Sequence, residues 1–243
     1  MRKYKYSKET LDIALEGLQS EDVAQRKKSA RFIKMASCSE LFGKMCDTLG
    51  VQTWFLSPDN YEKLIETLLN ESEDKLIWEY LSILGMVCRR YVDHSCYAKD
   101  FAKKQTCVTY KERTYEIAKQ FSHHSSAIVR QMSASIMAYM GDSDAWDIFY
   151  NVMLKKRDFC TISHITGAIG HYCYCTNGKI NDSHFIGGTM TDSQQKNLSN
   201  SLQSIYQHTS NKSIKGMCLT AIQELESIKE IANNQLNCLT VKG

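Results

Sequence analysis

Apolar residues recur at one spacing in four places along the chain. Ile77, Tyr80, Leu81, Leu84, Val87 and Cys88 set the pattern, and Val129, Met132, Ser133, Ile136, Tyr139 and Met140 repeat it. Ile162, Ile165, Thr166, Ile169, Tyr172 and Cys173 follow, and then Ile214, Met217, Cys218, Ala221 and Leu225. Offsets of 0, 3, 4, 7 and 11 mark the buried stripe of an amphipathic α-helix. The same stripe at repeated intervals predicts a stacked array of similar helical units. Arrays of this kind commonly bind along a continuous surface.

Each patterned segment is preceded by another amphipathic one. Residues 7–18 lead into 22–36, 61–69 into 75–91, 114–121 into 127–140, 144–154 into 159–173, and 193–208 into 212–228. Ser57 before Pro58 reads as an N-cap followed by proline at the first helical position. Thr191 with Gln194 fits a capping box. A further, less regular helix is expected within 38–56. Equivalent positions Ile77, Val129, Ile162 and Ile214 are separated by 52, 33 and 52 residues. The longer intervals place inserted connectors near 92–110 and 174–192, the first with a short helix around 97–104, the second a polar loop. Neither has the composition of an interdomain linker. The expected architecture is all-α, about five to six helix pairs in one continuous domain over residues 1–243.

The stretch Ser126-Ala127-Ile128-Val129-Arg130-Gln131-Met132-Ser133-Ala134, with the Gly141-Asp142 turn after Met140, resembles the start and end of the second helix of the HEAT-repeat family. The resemblance covers roughly residues 7–228 in architecture and is residue-by-residue only near 126–142. It implies a right-handed α-α superhelix whose second helices line a concave face, and it implies no chemistry.

The stripe opposite the core of each second helix is expected to face outward. It reads Lys27, Arg31 and Lys34; then Lys75, Glu79, Ser82 and Met86; then Ala127, Gln131, Ala134 and Ala138. The next helix gives Cys160, His164, Gly167 and His171, and the last Lys212, Gly216, Leu219 and Gln223. Trp78, Arg89 and Arg130 flank this surface, and Trp and Arg are frequent interface anchors. The candidate partner-binding residues are therefore Lys27, Arg31, Lys34, Trp78, Glu79, Met86, Arg89, Arg130, Gln131, His164 and His171. A plainly solvated face is the competing reading for each of them.

Composition narrows the function classes. Thirty Lys and Arg against 27 Asp and Glu give a net charge of +3, too small by itself to indicate nucleic acid. No apolar run approaches the roughly 20 residues that cross a bilayer, and the basic 1–6 segment lacks an apolar signal core. Ten scattered cysteines, several within core stripes, fit reduced structural thiols and a cytoplasmic location. Cys160, His164, His171 and Cys175 share a helix face, but Cys160 to His171 spans about 16 Å, too far for one ion. No metal, cofactor or catalytic residue is assigned. Phosphate-loop, nucleophile-elbow and His-Glu-x-x-His signatures are absent from the sequence.

The expected function is non-enzymatic binding of another protein, as an immunity protein, antitoxin or adaptor would do, without membrane involvement. DNA binding is the alternative. Residues 26–34 carry five basic side chains and no acidic one, and HEAT-like solenoids include the alkylpurine-DNA glycosylases, of which Trp146-Asp147 is a local echo. It ranks second, because a phosphate backbone normally draws on a broader cationic excess.

Overall fold

The computed structural model describes residues 4–37, 47–88, 101–176 and 190–240, and the side chains of all of these except 101–108 and 229–240. Among the described residues the chain forms eleven α-helices and no strand. They are α1 (Lys8–Gly17), α2 (Val23–Ser37), α3 (Thr48–Phe55), α4 (Pro58–Leu69), α5 (Asp74–Val87), α6 (Phe101–Phe121), α7 (Ala127–Tyr139), α8 (Asp144–Lys155), α9 (Phe159–Thr176), α10 (Asp192–His208) and α11 (Lys212–Thr240). The chain divides into two compact units, Met1–Ile117 and Ala118–Gly243.

The helix boundaries follow local signals. Ser7 caps α1 in a box with Thr10, and Thr191 caps α10 in the expected box with Gln194, whose Oε1 accepts the Thr191 N–H at 3.0 Å. Ser57 does precede Pro58 at the start of α4, but its hydroxyl makes no capping bond. Beyond α7, Gly141 takes φ 79°, a conformation open to glycine without strain. The Gly141 and Asp142 N–H groups donate to the Ala138 and Met137 carbonyls and close the helix end.

In the first unit α2 packs between α1 and α5, α4 packs on α5, and α3 touches α1, α2 and α4. The core holds Leu11, Ile33, Trp54, Phe55, Tyr61, Leu64 and the whole 77–88 stripe. Trp54 Nε1 donates to Asp12 Oδ1 at 2.7 Å and ties α3 to α1. Tyr61 stacks on Tyr110 with ring centroids 4.0 Å apart, and its hydroxyl donates to the Tyr110 carbonyl. Burial there pushes the Tyr61 phenol far above its ordinary range.

In the second unit α7, α9 and α11 lie in sequence against one another, while α8 packs on α7, α9 and α10, and α10 packs on α11. These are two layers enclosing one core. Trp146, Phe149, Val152, Ile162, Ile165, Ile169, Leu198 and Leu202 fill it. Of the four sequence stripes, every member is buried except Thr166 and Met217, which are half-buried.

Two expectations need correction. The outward stripe on α7 does not face outward: Gln131, Ala134 and Ala138 are buried, as is every residue from 131 to 140, and on α5 Ser82 is buried as well. Small Ala and Ser side chains let neighbouring elements close over this stretch of the helix. In addition, the part of the 92–110 connector within the described residues is no separate short helix. From Phe101 it runs unbroken through α6 to Phe121, so the end of the expected connector and the 114–121 segment form one helix. Residues 92–100 lie outside the described ones. No helix among the described residues is long and apolar enough to cross a membrane.

The fold makes two predictions. Phe149→Ala removes a fully buried ring and is expected to cost about 3–5 kcal/mol in denaturant unfolding, whereas Leu154→Ala, half-exposed on the same helix, costs under about 0.5 kcal/mol. The second concerns Glu224, which packs against Gly170 and whose carboxyl is raised above its ordinary value by burial. A raised carboxyl stabilises the fold below its unfolded pKa and loses that contribution as pH rises through its folded pKa. Glu224→Gln should therefore raise the unfolding midpoint at about pH 7 and change nothing below about pH 4 in a thermal-melt series.

Candidate functional site

Helix α2 carries the basic run, and the structure sorts its five cations into two sets. One set faces α5. The Arg26 guanidinium clasps the Glu71 carboxylate through Nε and Nη2 at 3.1 and 3.3 Å, while its Nη1 donates to the Ser20 and Glu21 carbonyls. Lys27 meets Glu73 at 2.9 Å, and Lys34 meets Glu79 at 2.8 Å with its ammonium 3.7 Å from the centre of the Trp78 ring. The Lys27 bond holds the Glu73 carboxyl below its ordinary value, and Glu73 in turn caps α5 through the Leu76 N–H. Three ion pairs thus join α2 to the turn before α5, to its N-cap and to its second turn.

Lys28 and Arg31 form the other set. Both are exposed, and they turn toward α1, where they edge a groove of about 490 Å³ between the two helices. Its floor is made by Tyr6, Ala14, Ser29 and Phe32, with the Tyr6 and Phe32 rings 5.1 Å apart. Ile13 and Met35 stand at the opening, 69% and 40% exposed. Lys5 adds a third cation, its ammonium 5.1 Å from the Tyr6 ring centre. At Gly17 the two helices come close enough that a Cβ would run into the Ser29 hydroxyl. Of the three α1 carboxylates, Glu9 is engaged by the Ser7 hydroxyl at 2.7 Å and Asp12 by Trp54, while Glu16 is exposed and makes no ion pair with Lys5, Lys28 or Arg31.

The other candidates scatter. Met86 is half-buried on α5, and Arg89 lies outside the described residues. Arg130 donates to the His124 and Ser125 carbonyls and braces its own helix start. Gln131 is buried and accepts from the Thr161 hydroxyl at 3.1 Å, with its Nε2 left without a hydrogen-bond partner. On α9, His164 Nδ1 sits 3.5 Å from the Ser135 hydroxyl, and His171 lies against the Tyr139 ring with Nε2 3.5 Å from Cys175 Sγ. No group of three or more His, Cys, Asp or Glu able to hold a metal occurs among the described residues. Trp146, the residue echoing a DNA glycosylase, is fully buried against Phe149 and Tyr172, and Asp147 accepts from Gln194 Nε2 at 2.8 Å.

The groove residues Ile13, Met35, Phe32, Tyr6, Lys5 and Lys28 were not among the sequence candidates. A signal was present: Ile13 and Met35 are apolar residues standing off the core stripes of their own helices.

No family model matches the chain, and comparison with curated proteins finds no similar sequence.

The described thiols divide by burial. Cys160 is exposed, while Cys88, Cys173 and Cys218 are buried, and burial pushes the Cys173 thiol up to about 12. A maleimide pulse on the native protein at about pH 7 should label Cys160 and spare Cys173 and Cys218. Peptide mapping reads the difference, and labelling of Cys173 should appear only on unfolding.

Proposed function

We propose that this chain is a non-enzymatic, protein-binding helical module, a right-handed HEAT-like superhelix of about five to six helix pairs working in the cytoplasm. An immunity protein, antitoxin or adaptor fits that description. The observation that carries the reading is the α1–α2 groove, where exposed Ile13 and Met35 stand beside Lys5, Lys28 and Arg31. Exposed apolar side chains gathered at one groove and rimmed by charge are a feature that interaction surfaces share. Arg31 is the one sequence candidate on this surface. Lys27, Lys34, Trp78 and Glu79 contribute by holding α2 in place.

The duplex-DNA reading draws less support. Arg26, Lys27 and Lys34 each sit against a carboxylate that would repel a phosphate, which leaves two α2 cations uncommitted.

The test is affinity capture from the source cells with the full chain, wild type against Ile13→Asp/Arg31→Glu. Both positions are exposed, so folding is expected to change by less than about 0.5 kcal/mol. A defined protein held in stoichiometric amount by wild type and lost by the variant supports the proposal. Recovery of nuclease-sensitive material, or of no protein, overturns it.

A further inference from the structure

We propose that the α1–α2 groove receives an acidic amphipathic helix of the partner; this rests on the protein-binding reading and names the partner's chemistry. The charge argument has an internal control on a single helix. The α2 cations that face α5 are all matched: Arg26 by Glu71, Lys27 by Glu73 and Lys34 by Glu79. The cations that edge the groove, Lys28 and Arg31 with Lys5, have no ion pair with any described residue. Carboxylates on a ligand seated in the groove would complement these solvated cations. Electrostatic complementarity of this kind speeds encounter and sets the register of docking.

The shape argument selects a helix. Both walls are helices, and no strand edge exists among the described residues to take up an extended peptide. The lined part of α2 runs from Gln25 to Met35, about 15 Å at 1.5 Å per residue, which is about three turns of a third helix laid alongside. Such a helix presents apolar anchors at i, i+3, i+4 and i+7 to Ile13, Phe32 and Met35, with acidic residues flanking them toward the cations. Methionine at the opening adapts to differently shaped anchors. The paired acidic rungs on the α5 side would repel the same ligand, so the docking face is one-sided.

Two stapled peptides of about 16 residues test this. They share leucines at i, i+3, i+4 and i+7 and differ only in carrying Glu or Lys at the other positions. Fluorescence anisotropy against the full chain is expected to give saturable binding of the Glu peptide, with the Lys peptide at least about tenfold weaker. Lys28→Glu/Arg31→Glu should invert that preference, and Ile13→Asp should abolish binding of both. Equal affinity for the two peptides, or binding indifferent to these substitutions, overturns the proposal. So does sedimentation showing that the free chain is a dimer dissolved by Ile13→Asp, since a second copy then fills the groove. Failure of both peptides while capture still returns a protein lost on Ile13→Asp/Arg31→Glu sinks the acidic helix alone. Failure of both experiments removes the protein-binding reading with it.

Discussion

The packing of α2 against α5 is the constraint on which the functional surface depends. Apolar burial drives it, through Ile33 and Ala36 on one helix and the 77–88 stripe in the same core. The ion pairs add little stability where they are solvated. Their effect is orientational. With Arg26 clasped bidentately by Glu71 and the Lys34 ammonium held over Trp78, α2 cannot roll about its axis without breaking several contacts at once. That fixed rotation decides which cations are spent inside the fold and which face the groove.

The second unit reaches order by other means. Side-chain hydrogen bonds join its elements: the Thr161 hydroxyl donates to Gln131, Gln194 Nε2 to Asp147 and the Ser143 carbonyl, and Gln195 Nε2 to the Leu225 carbonyl. A hydrogen bond between packed elements contributes modestly when made and costs more when a buried partner is left unpaired. Such bonds therefore select one register between neighbouring helices more than they strengthen the contact. Glu224 against Gly170 is the exception, a carboxylate whose desolvation is an expense that a neutral side chain would not carry.

What the sequence made legible follows from this physics. Core stripes were readable because burial demands an apolar residue at every turn, and nearly every position in the four stripes is buried. The helix starts at Pro58 and Asp192 were readable because proline at a first helical position and the Thr191–Gln194 capping box are local signals. The surface was harder, since outward-facing was defined only as not core. On α7 that rule failed at Gln131, Ala134 and Ala138, because small residues serve close packing as well as they serve exposure. On α2 it found Lys27 and Lys34 but not their pairing: Glu73 and Glu79 lie some 45 residues away in sequence and meet them only in the fold. An unpaired charge cannot be told from a paired one without that tertiary contact.

The same reasoning explains why the groove rather than the basic run is the informative feature. A cluster of five cations on one helix looks like a phosphate-binding stripe when read along the chain. Once folded, its cations serve opposite ends: three are committed to carboxylates of the same unit, while two stand with Lys5 beside exposed Ile13 and Met35. A polyanion gains nothing from the apolar side chains, and a purely apolar ligand leaves the cations unmatched. A ligand that supplies apolar and acidic groups on adjacent lines satisfies both, and an amphipathic helix places them so at its natural spacing. Selectivity then rests on two separate demands, anchor spacing and charge sign.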